Sequence, residues 1–147
     1  MNAADPPGGP DFDPERFMSY VRRLGHGGAL GINYHGHGKD WAELSLPYDQ
    51  QLIGMAETGI IASGPIISLM DMATSIAIWV RLGRFRPQAT LDLRVDYLRP
   101  AVPGRTIICR GECYGVTRSI GFVRGTAHDG DPADPVAHVG ATFMFTD

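Results

Sequence analysis

The sequence contains few cysteines, little net charge and no long uninterrupted apolar run. Its two cysteines, Cys109 and Cys113, are too few for a structural zinc site and lie too far apart on one predicted strand for an easy disulfide. The 13 basic and 16 acidic residues leave a net charge of −3, which gives no reason to expect nucleic acid or an anionic membrane as a partner. The longest apolar stretch, residues 60–80, is broken by Asp71 and several small polar residues, which argues against a membrane span.

The first residues also lack the signals of secretion. Residues 1–14 have no basic region and no apolar region of the kind a signal peptide carries, and their proline and glycine content predicts that residues 1–12 are disordered. We expect a cytoplasmic protein with one domain over residues 13–147, because a chain of this length supports one core. We expect no metal, because the pair His35 and His37 lacks the further ligands that a metal site needs.

The order of the predicted elements favours an α+β domain. A strand over residues 89–98 alternates, with Leu91, Leu93, Val95 and Tyr97 on a buried face and Thr90, Asp92, Arg94 and Asp96 on a wet face. Short connections favour antiparallel pairing, so we predict a curved antiparallel sheet wrapped around a long central helix. The other predicted elements are a helix over residues 14–24 and strands over 30–34, 41–46, 106–116, 119–128 and 136–145.

Asp71 is a single carboxylate within the apolar central helix, residues 65–80. Burying an unpaired carboxylate is costly in free energy, so such a residue is hydrogen-bonded, neutral or functional, for example in catalysis. Ser75 follows Asp71 by about one helical turn and therefore lies on the same side of the helix. The pattern predicts an acid or base and a hydroxyl side by side.

The start of this helix predicts a site for negative charge. Ser63 is a plausible N-cap, and Pro65 fits the first turn because its missing N–H costs nothing there. The N–H groups of Ser63, Gly64 and Ile66 remain to bind an anion or a developing oxyanion, helped by the helix dipole. Together with Asp71, these groups are the parts that acyl transfer requires.

Two segments resemble the hotdog-fold acyl-CoA thioesterases of the phenylacetate-degradation type. One is residues 64–71, Gly-Pro-Ile-Ile-Ser-Leu-Met-Asp, and the other is residues 89–104, which include Asp-Tyr-Leu-Arg-Pro and end in glycine. The resemblance implies the hotdog fold, an acyl-CoA substrate and Asp71 as general base or nucleophile, with a helix N-terminal amide polarising the thioester carbonyl. It also implies a homodimer or homotetramer with sites shared between subunits, and no cofactor other than the coenzyme A of the substrate.

The resemblance also shows where this chain differs from the family. The family's His-Gly-Gly falls on Ala62-Ser63-Gly64, and an Asn or Gln of many members falls on Ala56. A polar residue before the 90–98 strand falls on Ala89. We treat His26-Gly27-Gly28, which repeats the tripeptide before a predicted strand, as unrelated to the site.

Four residues are predicted to bind substrate. The turn carrying Arg118 and Ser119 resembles the family segment along the pantetheine arm, and Arg99 is one of several arginines at strand ends whose forks suit phosphates. Ala62 joins them because it occupies the family's His position.

Three functions compete on this sequence. Hydrolysis of a small or medium acyl-CoA thioester leads. A non-catalytic acyl or coenzyme A binding protein is the alternative, because Ala62 and Ala56 replace polar family residues. A hotdog dehydratase ranks last, because it needs a histidine facing an acid and no histidine lies in the central helix or the loop before it.

Overall fold

The computed structural model describes residues 10–147, and it confirms the predicted α+β architecture with a six-stranded antiparallel sheet around a long helix. The strand order is β1-β2-β4-β5-β6-β3, so β1 and β3 are the edges. The helices are α1 Pro14–Val21, α2 Gly25–Leu30 and α3 Ser63–Leu82, with a 3₁₀ turn Gln50–Leu52, and the strands are β1 Asn33–His37, β2 Trp41–Leu46, β3 Gln88–Tyr97, β4 Ile107–Val116, β5 Ile120–His128 and β6 Ala137–Phe145.

The helix α3 forms the centre of the core because its apolar residues cover most of its circumference. Leu69, Met70 and Ile76 are almost fully buried against the sheet. Gly111 on β4 allows the close approach, since a Cβ there would lie 2.6 Å from the backbone oxygen of Ala73. By length and composition α3 could cross a membrane, and it is the only helix within residues 10–147 that could, but half of it is buried within the fold, as expected of a core helix.

The N-terminal part differs from the prediction in its boundaries. The helix predicted to reach Leu24 ends at Val21, and Leu24 is 64% exposed. A second short helix, α2, includes Leu30, where a strand over residues 30–34 was predicted to begin. The predicted start was wrong, because the strand β1 begins at Asn33. Gly31, with a φ of 76°, closes α2 in the left-handed conformation that glycine adopts without strain.

The segment predicted to be disordered, residues 1–12, lies mostly outside the described residues. Its last residue, Phe12, has a backbone N–H that donates to the carbonyl oxygen of Gly83 at 3.1 Å. The Phe12 ring lies 5.6 Å from the Phe17 ring and 5.5 Å from the Trp79 ring. Phe12 therefore closes the end of the core at the C-terminus of α3.

The edge strand β3 carries a bulge that changes which residues face α3. Thr90 pairs with Phe143 and Asp92 pairs with Thr142, so Leu91 is one extra residue. The predicted alternation was therefore wrong at Thr90, which shares the helix side with Leu93 and Val95. The expectation of a buried face was also wrong in part, because Leu91 is 58% exposed and Tyr97 is 44% exposed.

Candidate active site

Asp71 lies half-buried on the side of α3 that faces β3. Its Oδ1 accepts a 2.8 Å hydrogen bond from the Thr90 hydroxyl. A hydrogen bond to the charged form stabilises a carboxylate whose surroundings are partly apolar. The structure thus gives the half-buried acid a hydrogen-bond partner, Thr90, which the predicted alternation placed on the opposite face of β3.

On both sides of Asp71, further side-chain contacts tie α3 to β3 or to the segment that leads into β3. The Tyr97 hydroxyl donates to the Ser63 carbonyl oxygen at 3.1 Å, and burial raises the pKa of Tyr97 above its usual value. At the other end, the Trp79 indole N–H donates to the carbonyl oxygen of Arg86 at 2.7 Å. These contacts align the exposed edge of the sheet with the half-exposed side of α3, so Asp71 lies next to the sheet edge.

The side chain of Ser75 hydrogen-bonds with a residue of β3 and not with Asp71. The Gln88 side-chain amide donates to Ser75 Oγ at 2.9 Å and to the Ser75 carbonyl oxygen at 3.0 Å. The Gln88 oxygen Oε1 is buried and has no partner within residues 10–147. Gln88 therefore fixes Ser75 beside Asp71. No local sequence signal identifies Gln88, because its contact with Ser75 depends on strand register.

The start of α3 differs by one residue from the prediction. Ala62 occupies the N-cap position, so the assignment of Ser63 as N-cap was wrong and Ser63 is the first helical residue. The N–H of Ala62 is used by the carbonyl oxygen of Leu52 at 2.9 Å. With this start, the N–H of Ile66 belongs to the helix's own hydrogen-bond ladder.

Two backbone donors remain at this helix start. Within the described part of the chain, the N–H groups of Ser63 and Gly64 have no hydrogen-bond acceptor. Both residues are exposed, and a Cβ on Gly64 would meet no atom within 4 Å. Unpaired N–H groups at the positive end of a 20-residue helix can bind a carbonyl oxygen that becomes negative.

The histidine motif that we treated as unrelated contacts α3. His26 Nε2 lies 2.8 Å from Ser68 Oγ, although the two residues are 42 positions apart. The short helix α2 brings His26 there, where the sequence predicted an approaching strand. Ser68 precedes Asp71 by three residues, so the histidine reaches α3 within one turn of the acid.

The structure separates the residues predicted to bind coenzyme A. Arg118 and Ser119 lie in the β4–β5 turn and line an open cavity of about 560 Å³ together with Arg86, Phe145 and Asp147. Arg86, in this cavity, precedes the first residue of β3, whereas Arg99 follows the last residue of the same ten-residue strand. The two ends of the strand are roughly 30 Å apart. The Arg99 guanidinium is held by Asp129 at 2.7 Å and Asp134 at 3.2 Å.

The cysteines lie apart from this site. Both are free and buried, and burial raises the pKa of Cys109 to about 12. A thiol that does not ionise at neutral pH is a poor nucleophile. Among the described residues, no group of three or more His, Cys, Asp or Glu side chains is placed to hold a metal ion.

Comparisons with known proteins identify the family of the chain. The thioesterase superfamily model matches residues 58–136, more than half of the chain. The chain is 27% identical over 117 residues to the medium/long-chain acyl-CoA thioesterase YigI of Escherichia coli, covering 69% of this chain and 68% of that protein.

Solved structures show the same fold. A protein from Pseudomonas aeruginosa aligns with a TM-score of 0.78 and 38% identity over 90% of this chain and 96% of its own. The PaaI protein from the phenylacetic acid degradation operon of Escherichia coli aligns with a TM-score of 0.72 and 17% identity, covering 82% of this chain and 83% of its own. The chain belongs to the thioesterase superfamily and has its hotdog fold.

Proposed function

We propose that this protein hydrolyses the thioester bond of small or medium acyl-CoA molecules, with Asp71 as the general base or the nucleophile. The observation that carries the proposal is the half-buried Asp71 carboxylate held by Thr90 at 2.8 Å beside an exposed sheet edge. The name of the relative YigI supports an acyl-CoA substrate. The name of YigI includes medium-length acyl chains, which our proposal also includes.

The N–H groups of Ser63 and Gly64 are the proposed oxyanion donors. Gly64 precedes Asp71 by seven residues, which corresponds to about 10.5 Å along a helix. One substrate carbonyl therefore cannot contact both the N–H groups at the helix start and the Asp71 carboxylate of the same chain. A site that combines Asp71 of one subunit with the helix start of another resolves this distance.

A homodimer through β3 is the proposed source of that second subunit. β3 is a ten-residue edge strand with exposed Leu91 and Tyr97, and a long apolar edge left open favours pairing with another strand. Because α3 is tied to β3 at Ser63, Asp71 and Ser75, a partner strand on this edge brings the partner's α3 close to Asp71. Two such dimers would form the homotetramer.

Arg118 and Ser119 remain the proposed contacts of the coenzyme A portion. Their cavity contains the Arg86 guanidinium, which lies 3.8 Å from the centre of the Phe145 ring. We propose Arg99 as a weaker contact of the substrate, because two carboxylates already bind its guanidinium. We also propose a cytoplasmic location, in keeping with two free cysteines.

The test measures thiol release from acyl-CoA molecules of increasing chain length. Asp71→Asn should lower kcat by about 10²- to 10⁴-fold, the usual contribution of a positioned acid or base. Asp92→Asn, which removes an exposed carboxylate two residues from Thr90 on β3, should leave the rate unchanged. Equal rates for wild type and Asp71→Asn would contradict the mechanism.

Ala62 favours the second candidate, a non-catalytic acyl or coenzyme A binding protein. Its methyl group provides no proton donor at the position where the family has a histidine. Thermal stabilisation by coenzyme A without turnover of any acyl-CoA would select this function, because a ligand that binds only the folded state raises the melting temperature.

A further inference from the structure

The contact between His26 and Ser68 pairs a base with a hydroxyl beside the Asp71 site. His26 Nε2 and Ser68 Oγ are 2.8 Å apart, within the range expected of a nucleophile and the base that activates it. His26 is exposed and Ser68 is half-buried, so one face of the pair is open to a substrate. The side chains come from different helices and meet only in the folded chain.

Two glycines hold His26 at this position. A Cβ on Gly27 would lie 3.0 Å from the Met72 side chain on α3, and a Cβ on Gly28 would lie 2.6 Å from the Arg22 backbone oxygen. These two glycines therefore allow α2 to pack closely on α3 and on the end of α1. The backbone next to His26 is fixed by packing on two sides, which limits how far the imidazole can move from Ser68.

Ser68 lies between the helix start and Asp71. It follows Gly64 by four residues, about 6 Å along the helix on the same face. It precedes Asp71 by three residues, a spacing that places Cβ atoms about 5–6 Å apart. One water molecule that hydrogen-bonds on both sides spans about that distance. The Gly64 N–H points out of the helix start, away from Ser68, so the oxyanion donors for a carbonyl at Ser68 must come from another subunit, as proposed for Asp71.

We propose that Ser68 and His26 form a nucleophilic dyad that carries the acyl group as an ester on Ser68. Ser68 gives its proton to His26 Nε2 as Oγ bonds to the thioester carbonyl carbon. The C–S bond then breaks, and the departing thiolate takes the proton from His26. This inference rests on the proposed thioesterase function and keeps the helix start of a second subunit as the source of the oxyanion donors.

Asp71 acts in the second half of this reaction. A water molecule gives one proton to the Asp71 carboxylate while its oxygen bonds to the acyl carbon. The C–O bond to Ser68 breaks, and Ser68 recovers a proton from Asp71. The sum is thioester and water converted to acid and thiol, with every group returned to its starting state.

The experiment traps the acyl-enzyme. Wild-type protein is mixed with octanoyl-CoA, quenched in acid and analysed by intact mass and peptide mapping. We expect an octanoyl adduct on Ser68, and several-fold more of it in Asp71→Asn, because hydrolysis of the ester is slowed. Ser68→Ala should give no adduct, Ser68→Cys should keep one, and Ser19→Ala, a helical serine on α1, should match wild type.

A fluorophosphonate probe tests the dyad without coenzyme A. Wild type should be labelled on Ser68, and His26→Gln should be labelled about 100-fold more slowly, the loss expected from removing a general base. Melting temperatures show which variants are folded. A purely structural contact would lower the melting temperature of His26→Gln while wild type showed neither an adduct nor a label.

The outcomes separate this inference from the proposed function. Thiol release that is lost in Asp71→Asn but unchanged in Ser68→Ala would overturn the dyad and leave the Asp71 mechanism standing. An octanoyl adduct on Ser68, formed with release of one thiol per protein and no further turnover, would support the dyad and reject catalytic thioester hydrolysis. Absence of both adduct and label in wild type and in Asp71→Asn overturns the dyad.

Discussion

The Thr90 hydroxyl donates a 2.8 Å hydrogen bond to Asp71 Oδ1, joining the edge strand to the central helix across 19 residues of sequence. The bulge at Leu91 makes this contact possible, because it turns Thr90 to the helix side of β3. The acid therefore depends on strand geometry for its main partner. Changes at Thr90 should alter the chemistry of Asp71 more than the stability of the fold.

We predict that Thr90→Val lowers kcat/KM for the best acyl-CoA substrate about 10- to 100-fold. A hydrogen bond to a charged group contributes about 1.5–3 kcal/mol, and each 1.36 kcal/mol corresponds to a factor of ten in rate. Thr90→Ser keeps the hydroxyl and should stay close to wild type. Thiol-release kinetics measure both variants.

A double-mutant cycle tests whether Thr90 acts through Asp71. In an Asp71→Asn background, Thr90→Val should cause little further loss, because two residues of one interaction are not additive. An equal loss in both backgrounds would show that Thr90 contributes in another way.

A second prediction concerns the packing of α3 on the sheet. Gly111→Ala should lower the free energy of unfolding by about 1–3 kcal/mol, since the new methyl group would lie 2.6 Å from the Ala73 backbone oxygen. Gly140→Ala is the matched control on β6, where a Cβ would meet no atom within 4 Å; its effect should stay within about 0.5 kcal/mol. Urea unfolding measures both changes, and equal effects would contradict the packing argument.

The sequence predicted the elements far better than their contacts. The apolar central helix and the strands β2 to β6 appear near their expected positions, because periodicity and turn residues report local structure directly. Thr90 was predicted on the wrong face because a one-residue bulge reverses the side-chain alternation, and no residue type in the strand indicates that bulge. His26 was set aside because distance along the chain says little about proximity once a short helix intervenes.

A third prediction concerns the β3 edge. Leu91→Lys should convert a dimer into a monomer at low micromolar concentration, because a charge on an exposed edge opposes strand pairing. Met144→Lys removes an apolar side chain of similar exposure from β6, an interior strand of the sheet, and should leave the dimer intact. Light scattering coupled to size-exclusion chromatography measures the mass. A monomeric wild type, or a dimer that survives Leu91→Lys, would contradict the proposed interface.

The last prediction concerns Asp129, which is 3% exposed and accepts two hydrogen bonds from Arg99, at 2.7 and 3.0 Å, and one from the Val102 N–H at 2.8 Å. The Arg99 guanidinium, helped by the Val102 N–H, holds the pKa of Asp129 well below its usual range. The unfolded chain, in which an Asp titrates near about 3.9, binds the proton more readily than the folded chain. This contribution to stability is therefore complete above about pH 4–5 and is lost as the pH falls further.

Asp129→Asn should accordingly lower the free energy of unfolding at pH 7 by about 3 kcal/mol, because it removes one partner of a buried ion pair. The loss should shrink as the pH falls from about 5 to 2, because the unfolded wild type then binds a proton that the folded protein does not, which removes the contribution of the ion pair to stability. Asp134→Asn is the control: its carboxylate also contacts Arg99, at 3.2 Å, but is 68% exposed, so its effect should stay under about 1 kcal/mol. Urea unfolding of the three proteins across this pH range measures the difference, and a loss for Asp129→Asn that is constant with pH would show that packing, not charge, accounts for it.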